Sequence, residues 1–290
     1  MPELPEVETI RKDLEKKIIG KKIVGIKIVQ KKSIKNSSSK FIKALRNNYV
    51  KNIARKGKLL ILELNNNNNY LLIHLRMTGQ LVYVKSSDIH SIKYSAFNQL
   101  IKSPFIINSH TRVILLFENK SKLYFNDIRR FGYLQIASEK EKDKTMEKMG
   151  VDALSESFNL EVLKKSFKNK NRTLKSLLLD QKIIAGIGNI YADEICFDAK
   201  LDPKRKANEL DDNELKRLYN SIKSVLKLAI NHRGTTFSDY TDTSGKKGNF
   251  AKLLKVYGRE KENCKNCGRK SIQKIKLAGR TTRFCENCQR

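Results

Sequence analysis

Hydrophobic and polar positions alternate over short runs in the first half of the chain and change to helical spacing in the second. Val7, Ile10, Leu14 and Ile18 recur three or four residues apart, which puts one apolar stripe on a helix that Gly20 closes. Runs rich in aliphatic and β-branched residues follow at 23–29, 59–64, 70–77, 113–117, 123–125 and 133–136, with a short helix at 41–45. Strands at this spacing predict a β-sandwich. From about Glu139 the pattern is helical, with candidates at 160–167, 174–179, 191–197 and 215–229. The last has Leu215, Leu218, Ile222, Val225 and Leu226 on one face. Residues 86–108 form a polar insertion that reads as loop. Residues 238–249, rich in Gly, Ser, Thr and Lys, read as a mobile loop. The tail from Val256 is short, basic and Cys-rich, and no internal repeat is present.

Length and charge narrow the class. At 290 residues there is room for two or three domains. Sixty Lys and Arg against thirty Asp and Glu give a formal charge of +30, so a polyanion is the expected partner. Part of this excess is a Lys and Asn bias, visible in the unbroken Asn run at 65–69. A membrane surface competes, but no long amphipathic helix carries a bulky aromatic face. No apolar run approaches the ~18 residues of a membrane span, and the charged N-terminus lacks a signal-peptide core. A soluble, intracellular protein is expected. Of its five cysteines, Cys196 stands alone and reads as a buried thiol.

The other four form the strongest chemical signal. Cys264-x2-Cys267 and Cys285-x2-Cys288 are separated by 17 residues, a spacing that lets four thiolates converge on one structural Zn²⁺. Two disulfides or a redox dithiol are the minor alternatives for an intracellular chain. The hairpin between the two pairs would carry Lys270, Lys274, Lys276, Arg280 and Arg283, a composition suited to DNA. Gly186-Ile187-Gly188-Asn189 opens a helix, where backbone amides could hold a phosphate; a plain turn before a helix fits equally. Its spacing matches neither dinucleotide nor P-loop motifs, so a nucleotide cofactor is not expected. Asp127-Ile128-Arg129-Arg130-Phe131-Gly132 is either a finger that wedges between bases or a hairpin turn with an inward Phe. Met77, at the end of its strand, is core or wedge; Lys58 is a solvated turn residue or a phosphate clamp.

The chain begins Met1-Pro2-Glu3-Leu4-Pro5-Glu6. Removal of Met1 would free the secondary amine of Pro2. A free α-amino group titrates near ~8 against ~10.4 for Lys, leaving more of it neutral and nucleophilic. Attack on a sugar carbon would yield an iminium ion, an electron sink for elimination. Taken alone, these residues fit an acidic first helical turn more simply.

The start PELPEVET, the strand HLRMTG, the loop DIRRFG, the turn GIGNIYADE, VYGR at 256–259 and the four-cysteine tail occur in this order. Together they resemble the bacterial formamidopyrimidine-DNA glycosylases over nearly the whole chain. The resemblance implies a multidomain α+β fold. An N-terminal β-sandwich catalytic domain with a leading helix would span 1–138. A helix–two-turn–helix domain with a mobile lesion loop would span 139–250, and a four-cysteine zinc finger 251–290. Double-stranded DNA would lie in the cleft between them. It further implies excision of oxidised purines (8-oxoguanine and formamidopyrimidines) and strand nicking by β,δ-elimination, by a monomer in the bacterial cytoplasm.

By the same resemblance, Pro2 is the nucleophile at C1′ and Glu3 the acid/base that opens the sugar. Lys58 contacts a phosphate and assists β-elimination. Met77, Arg129 and Phe131 fill the gap left by the flipped base, with Arg129 facing the orphaned partner. Asn189 and Arg280 grip flanking phosphates, Arg280 also assisting the second elimination. His110 and Lys168 carry over onto DNA-contact positions. The chain departs from the pattern at Ile128, where Pro is common, in the 86–108 insertion, and in residues 245–250, which lack the usual Pro and Tyr. Two rivals follow. An endonuclease VIII-like enzyme for oxidised pyrimidines is disfavoured by Leu4, since that branch begins PEGPE. A non-catalytic DNA-binding protein is disfavoured by the intact Pro2 and Glu3.

Overall fold

The computed structural model describes residues 1–65, 69–88, 109–237, 239–269 and 271–290. Most of the 86–108 insertion, and Lys270, lie outside the described residues. Two compact units emerge. The first comprises Met1–Pro2, Glu6–Met146 and Arg233–Gly248; the second comprises Glu3–Pro5, Glu147–His232 and Asn249–Arg290.

In the first unit, helix α1 (Leu4–Ile18) supplies Val7, Ile10, Leu14 and Ile18, all fully buried at the helical spacing read from the sequence. Strands β1 (Lys22–Ile28), β2 (Asn48–Lys56), β3 (Leu59–Leu64), β4 (Asn69–His74), β5 (Gly79–Val84), β6 (Thr111–Phe117), β7 (Lys122–Asp127) and β8 (Tyr133–Ser138) pair antiparallel in the order β5-β7-β6-β1-β2-β3-β4-β8. The link between β1 and β2 is only two residue pairs long. There the order divides into two four-stranded sheets that share one core. Ile23, Leu81, Val113, Leu115 and Phe125 come from one side, and Ile53, Leu60, Leu62, Leu71 and Ile73 from the other. Helix α2 (Ser38–Leu45) adds Phe41 and Leu45. This is the sandwich that the alternating runs predict. Helix α3 (Glu139–Glu147) ends the first long stretch of the unit.

The mobile loop is expected at 238–249; its described residues up to Gly248 belong to the first unit with Arg233–Phe237, and side-chain bonds hold this segment there. Arg233 lies 2.6 Å from both Asp13 and Asp242. Lys17 Nζ donates to Thr243 Oγ1 and Ser244 Oγ. Asp242 in turn accepts from the backbone N–H groups of Ser244 and Lys246.

The second unit is helical. Strands β9 (Val151–Asp152) and β10 (Ile184–Ala185) form a short parallel pair. Around them stand α4 (Leu160–Phe167), α5 (Leu174–Leu178), α6 (Asn189–Asp198) and α7 (Asp212–Asn231). Two turns connect α5 to α6, giving the helix–two-turn–helix arrangement. Asp211 caps α7 in a capping box with Glu214, which fixes where the helix starts. The tail forms the hairpin β11 (Gln273–Leu277) and β12 (Arg280–Phe284). Its turn residues Ala278 and Gly279 have φ of 48° and 72°, the two left-handed positions of a tight hairpin. Among the described residues no helix is long and apolar enough to cross a membrane.

Candidate active site and DNA-contact residues

In the second unit the chain places Glu3 on the first turn of α6. Its carboxylate accepts from the backbone N–H of Ile190 (3.0 Å) and of Tyr191 (3.4 Å), and the residue is 3% exposed. These are donors that an α-helix leaves unpaired at its start, and the helix dipole there favours an anion. The amides considered for a phosphate are therefore occupied by the chain's own carboxylate. Gly188 makes the approach possible: a Cβ there would lie 2.2 Å from Glu3 Cδ. Gln181 braces the preceding turn, accepting from Gly186 N–H and donating to the carbonyl of Ile187.

Asn189 and Arg280 come together through one strand. Asn189 Nδ2 donates to the carbonyl of Thr281 (3.1 Å), the residue after Arg280, whose exposed side chain stands at the hairpin tip. Beneath them lies a buried ion pair absent from the sequence reading. Lys175 Nζ is 2.6 Å from Asp193 Oδ1, with side chains 1% and 0% exposed. Lys175 also donates to Thr281 O and Thr282 Oγ1, and Asp193 accepts from Arg283 N–H. Burial pushes the Asp193 carboxyl up to about 7 despite the adjacent ammonium. The same buried network therefore ties the hairpin to α5 and α6. Glu194 does likewise for the VYGR segment, accepting from the N–H groups of Lys255, Val256 and Tyr257. Lys168 is separate: it is exposed at the C-terminal end of α4, on the rim of a cavity of about 510 Å³.

The four cysteines converge. Their sulfurs all lie within 4.8 Å of one another, with Cys264–Cys288 at 3.8 Å and Cys267–Cys285 at 3.7 Å, and none forms a disulfide. Ligands ~2.3 Å from a tetrahedral zinc are ~3.8 Å apart, so the cage fits one Zn²⁺. Asn266 donates from its backbone to Cys264 Sγ and from its side chain to Cys288 Sγ, support suited to thiolates.

In the first unit, the two expected wedge segments meet. Strand β4 stops at His74, so Met77 sits in the following turn rather than at the strand end; Arg76, with φ 52°, reverses the chain there. Met77 is 38% and Phe131 54% exposed, which excludes the inward-packed reading of both. The Arg129 guanidinium lies 4.9 Å from the Phe131 ring centre. The carbonyl of His110 accepts from Asp127 N–H, two residues before Arg129. Lys58, in the β2–β3 turn, precedes Leu59, which pairs with His74. Burial, helped by Arg76, Lys58 and Lys35, pushes the His74 imidazole down to about 3, and its Nδ1 accepts from Arg76 N–H. Pro2 is buried and Met1 is 52% exposed. The sequence reading assigned no role to His74, Thr78 or Asp127, although each lies inside a motif it quoted.

Comparison with known proteins covers the chain end to end. The formamidopyrimidine-DNA glycosylase N-terminal domain matches residues 1–134, the helix–two-turn–helix domain of the same enzymes 149–241, and the zinc finger found in them and in isoleucyl-tRNA synthetases 261–290. Formamidopyrimidine-DNA glycosylases of Prochlorococcus marinus (strain NATL1A) and Listeria monocytogenes serotype 4b are 40% and 37% identical, each over the full length of both chains. The Lactococcus lactis Fpg in complex with DNA containing an abasic site aligns with a TM-score of 0.86 at 31% identity, over 99% of both chains. A variant of that enzyme bound to Fapy-dG-containing DNA gives 0.86 at 32% over all of both. With the sandwich, the two-turn helical unit and the four-cysteine cage all in place, the chain belongs to the formamidopyrimidine-DNA glycosylase family of base-excision-repair enzymes.

Proposed function

We propose that this protein excises oxidised purines from double-stranded DNA and then nicks the strand at the resulting abasic site. The Pro2 amine, freed by loss of Met1, forms a bond to C1′ as the glycosidic bond breaks and the base departs with a proton. Glu3 manages the proton that opens the sugar. The iminium ion left on C1′ acidifies C2′–H. Loss of that proton expels the 3′ phosphate, with Lys58 at the phosphate, and a second elimination assisted by Arg280 expels the 5′ phosphate; hydrolysis then returns the free amine. Met77, Arg129 and Phe131 occupy the gap in the stack, while Asn189, Arg280, His110 and Lys168 hold the backbone. Flipping a base costs a few kcal/mol, which is why wedges and phosphate grips are both required. The protein acts as a monomer in the bacterial cytoplasm, bound to the nucleoid.

The observation that most supports this reading is the Glu3 carboxylate on the α6 amides, one residue after the nucleophile. The same bonds satisfy the start of α6, and they also fix the orientation of a carboxylate next in sequence to the residue proposed as nucleophile. A cleavage panel tests it. Duplexes carrying 8-oxoguanine or a formamidopyrimidine opposite cytosine should be cut faster than ones carrying oxidised pyrimidines, and undamaged DNA should stay intact. Preference for oxidised pyrimidines would move the protein to the endonuclease VIII-like reading, and no cleavage at all would leave a binding protein.

A further inference from the structure

Asp127 is fully buried, yet it sits at the end of strand β7, opposite Gly79, where an apolar residue would serve the sheet at less cost. Both carboxylate oxygens are used. Oδ1 accepts from the Thr78 hydroxyl (2.5 Å) and Oδ2 from Gly132 N–H (2.7 Å). The same Thr78 oxygen accepts from Arg129 N–H at 2.9 Å. Buried Arg112 braces the spot from behind, its Nε donating to the Asp127 carbonyl at 2.9 Å. One hydroxyl on the Met77 turn therefore bonds both the root and the backbone of the loop that carries Arg129 and Phe131.

The two segments share a second feature. Arg76 (φ 52°) and Arg130 (φ 62°) are left-handed non-glycine residues, and each immediately precedes an exposed apolar tip, Met77 or Phe131. Such backbone persists only where neighbours over-determine it. Gly132 closes the second loop against Asp127, since a Cβ there would be 3.1 Å from Oδ2 and 2.8 Å from Phe125 Cζ. A side chain that must hold open a gap in a base stack has to resist being pushed back, so its root must be stiff before DNA arrives.

We propose that Asp127 and Thr78 are positioning residues that clamp the Met77 turn to the Arg129–Phe131 loop, presetting the three gap-filling side chains. This rests on the wedge assignment in the proposed function and adds the device that makes the wedge rigid. The clamp acts only where a base pair must be opened. It contributes nothing to chemistry on a substrate that is already unpaired and baseless.

Thr78→Val keeps the side-chain shape and removes both hydrogen bonds, whereas Thr78→Ser keeps them. In the DNA-free protein, Thr78→Val should speed amide exchange at Arg129 by about tenfold or more. Single-turnover excision of a lesion from duplex should slow by roughly ten- to a hundredfold, the rate equivalent of one charge-assisted hydrogen bond. Cleavage of a pre-formed abasic site in single-stranded DNA should stay within about twofold, and Thr78→Ser should match the wild type throughout. If Thr78→Val does not fold, Asp127→Asn, which leaves one acceptor oxygen for the two donors Thr78 Oγ1–H and Gly132 N–H, takes its place with the same expectations. Duplex excision at the wild-type rate overturns the clamp, as does equal slowing on single strands, which would mark general damage. A wild-type protein that leaves duplex lesions untouched sinks the glycosylase reading instead. Amide exchange then decides the clamp alone, and unchanged Arg129 exchange in the variant refutes it.

Discussion

Gly188→Ala places a methyl group into the carboxylate that the proposed chemistry depends on. The new Cβ would lie 2.2 Å from Glu3 Cδ and 2.5 and 2.6 Å from its two oxygens. Carbon contacts relax at ~3.5 Å, so the carboxylate must retreat by about 1 Å. Its bonds to Ile190 and Tyr191 N–H, now 3.0 and 3.4 Å, would then pass out of range. A hydrogen bond to a charged group contributes ~1.5–3 kcal/mol, the longer of these less, and the helix terminus a further ~0.3–1 kcal/mol. About 2–4 kcal/mol of orientation is at stake, which as lost transition-state positioning is roughly 30- to 1,000-fold in rate. The assay is single-turnover release of 8-oxoguanine from duplex, with cleavage at a pre-formed abasic site as internal control. Excision should fall within that range while abasic cleavage falls by no more than about fivefold, because an abasic site already offers an aldehyde to Pro2. A Gly188→Ala protein that melts normally and excises at the wild-type rate would show that the seat of Glu3 on α6 has no part in the reaction.

Glu3→Gln should abolish base excision while keeping DNA binding and some cleavage of abasic sites; full excision would return Glu3 to a helix-start role. One zinc per chain is expected, with metal–sulfur distances of ~2.3 Å by X-ray absorption, and elemental analysis without zinc would contradict it. Affinity for DNA should fall steeply with salt. Arg280→Ala should make that slope shallower, whereas Phe131→Ala should keep the slope and slow duplex excision; loss of slope in both would remove the wedge. His74, held down to about 3 against an ordinary 6.5, should stay neutral by NMR titration to about pH 4. Between these values the unfolded chain binds the extra proton. The His74 contribution is therefore intact above pH ~6.5 and declines by up to ~1.4 kcal/mol per unit as pH falls toward ~3, a trend that His74→Gln should remove.

Local pattern made much of the scaffold legible. The stripe Val7, Ile10, Leu14, Ile18 and the Cys-x2-Cys pairs each report one physical constraint, a buried helix face and a tetrahedral ion, and both stand as expected. Strand β2 was hidden because Lys51 and Asn52 interrupt its alternation, a register shift that the pairing of Val50 and Asn52 absorbs. The sequence pattern carries this strand three residues past His74, to Met77, since nothing local marks Arg76 as left-handed. Long-range partnerships were the real gap. The amides of Ile190 and Tyr191 looked available for a phosphate, yet their acceptor is Glu3, 187 and 188 residues earlier in the chain. Lys168 and Lys175 are indistinguishable as basic residues on helical segments. Burial against Asp193 is what separates them, and only the packed fold supplies it.

Borohydride trapping on lesion-containing duplex, followed by mass spectrometry of the linked peptide, tests the organising role of the N-terminus most directly. An amide nitrogen has its lone pair delocalised into the carbonyl and does not attack C1′. Protein that has lost Met1 should therefore yield a single adduct on the Pro2 nitrogen, and protein that retains Met1 or carries an N-terminal tag should bind the duplex without excision or adduct. An adduct on Lys58 or another lysine, or normal turnover by the tagged protein, would contradict the account.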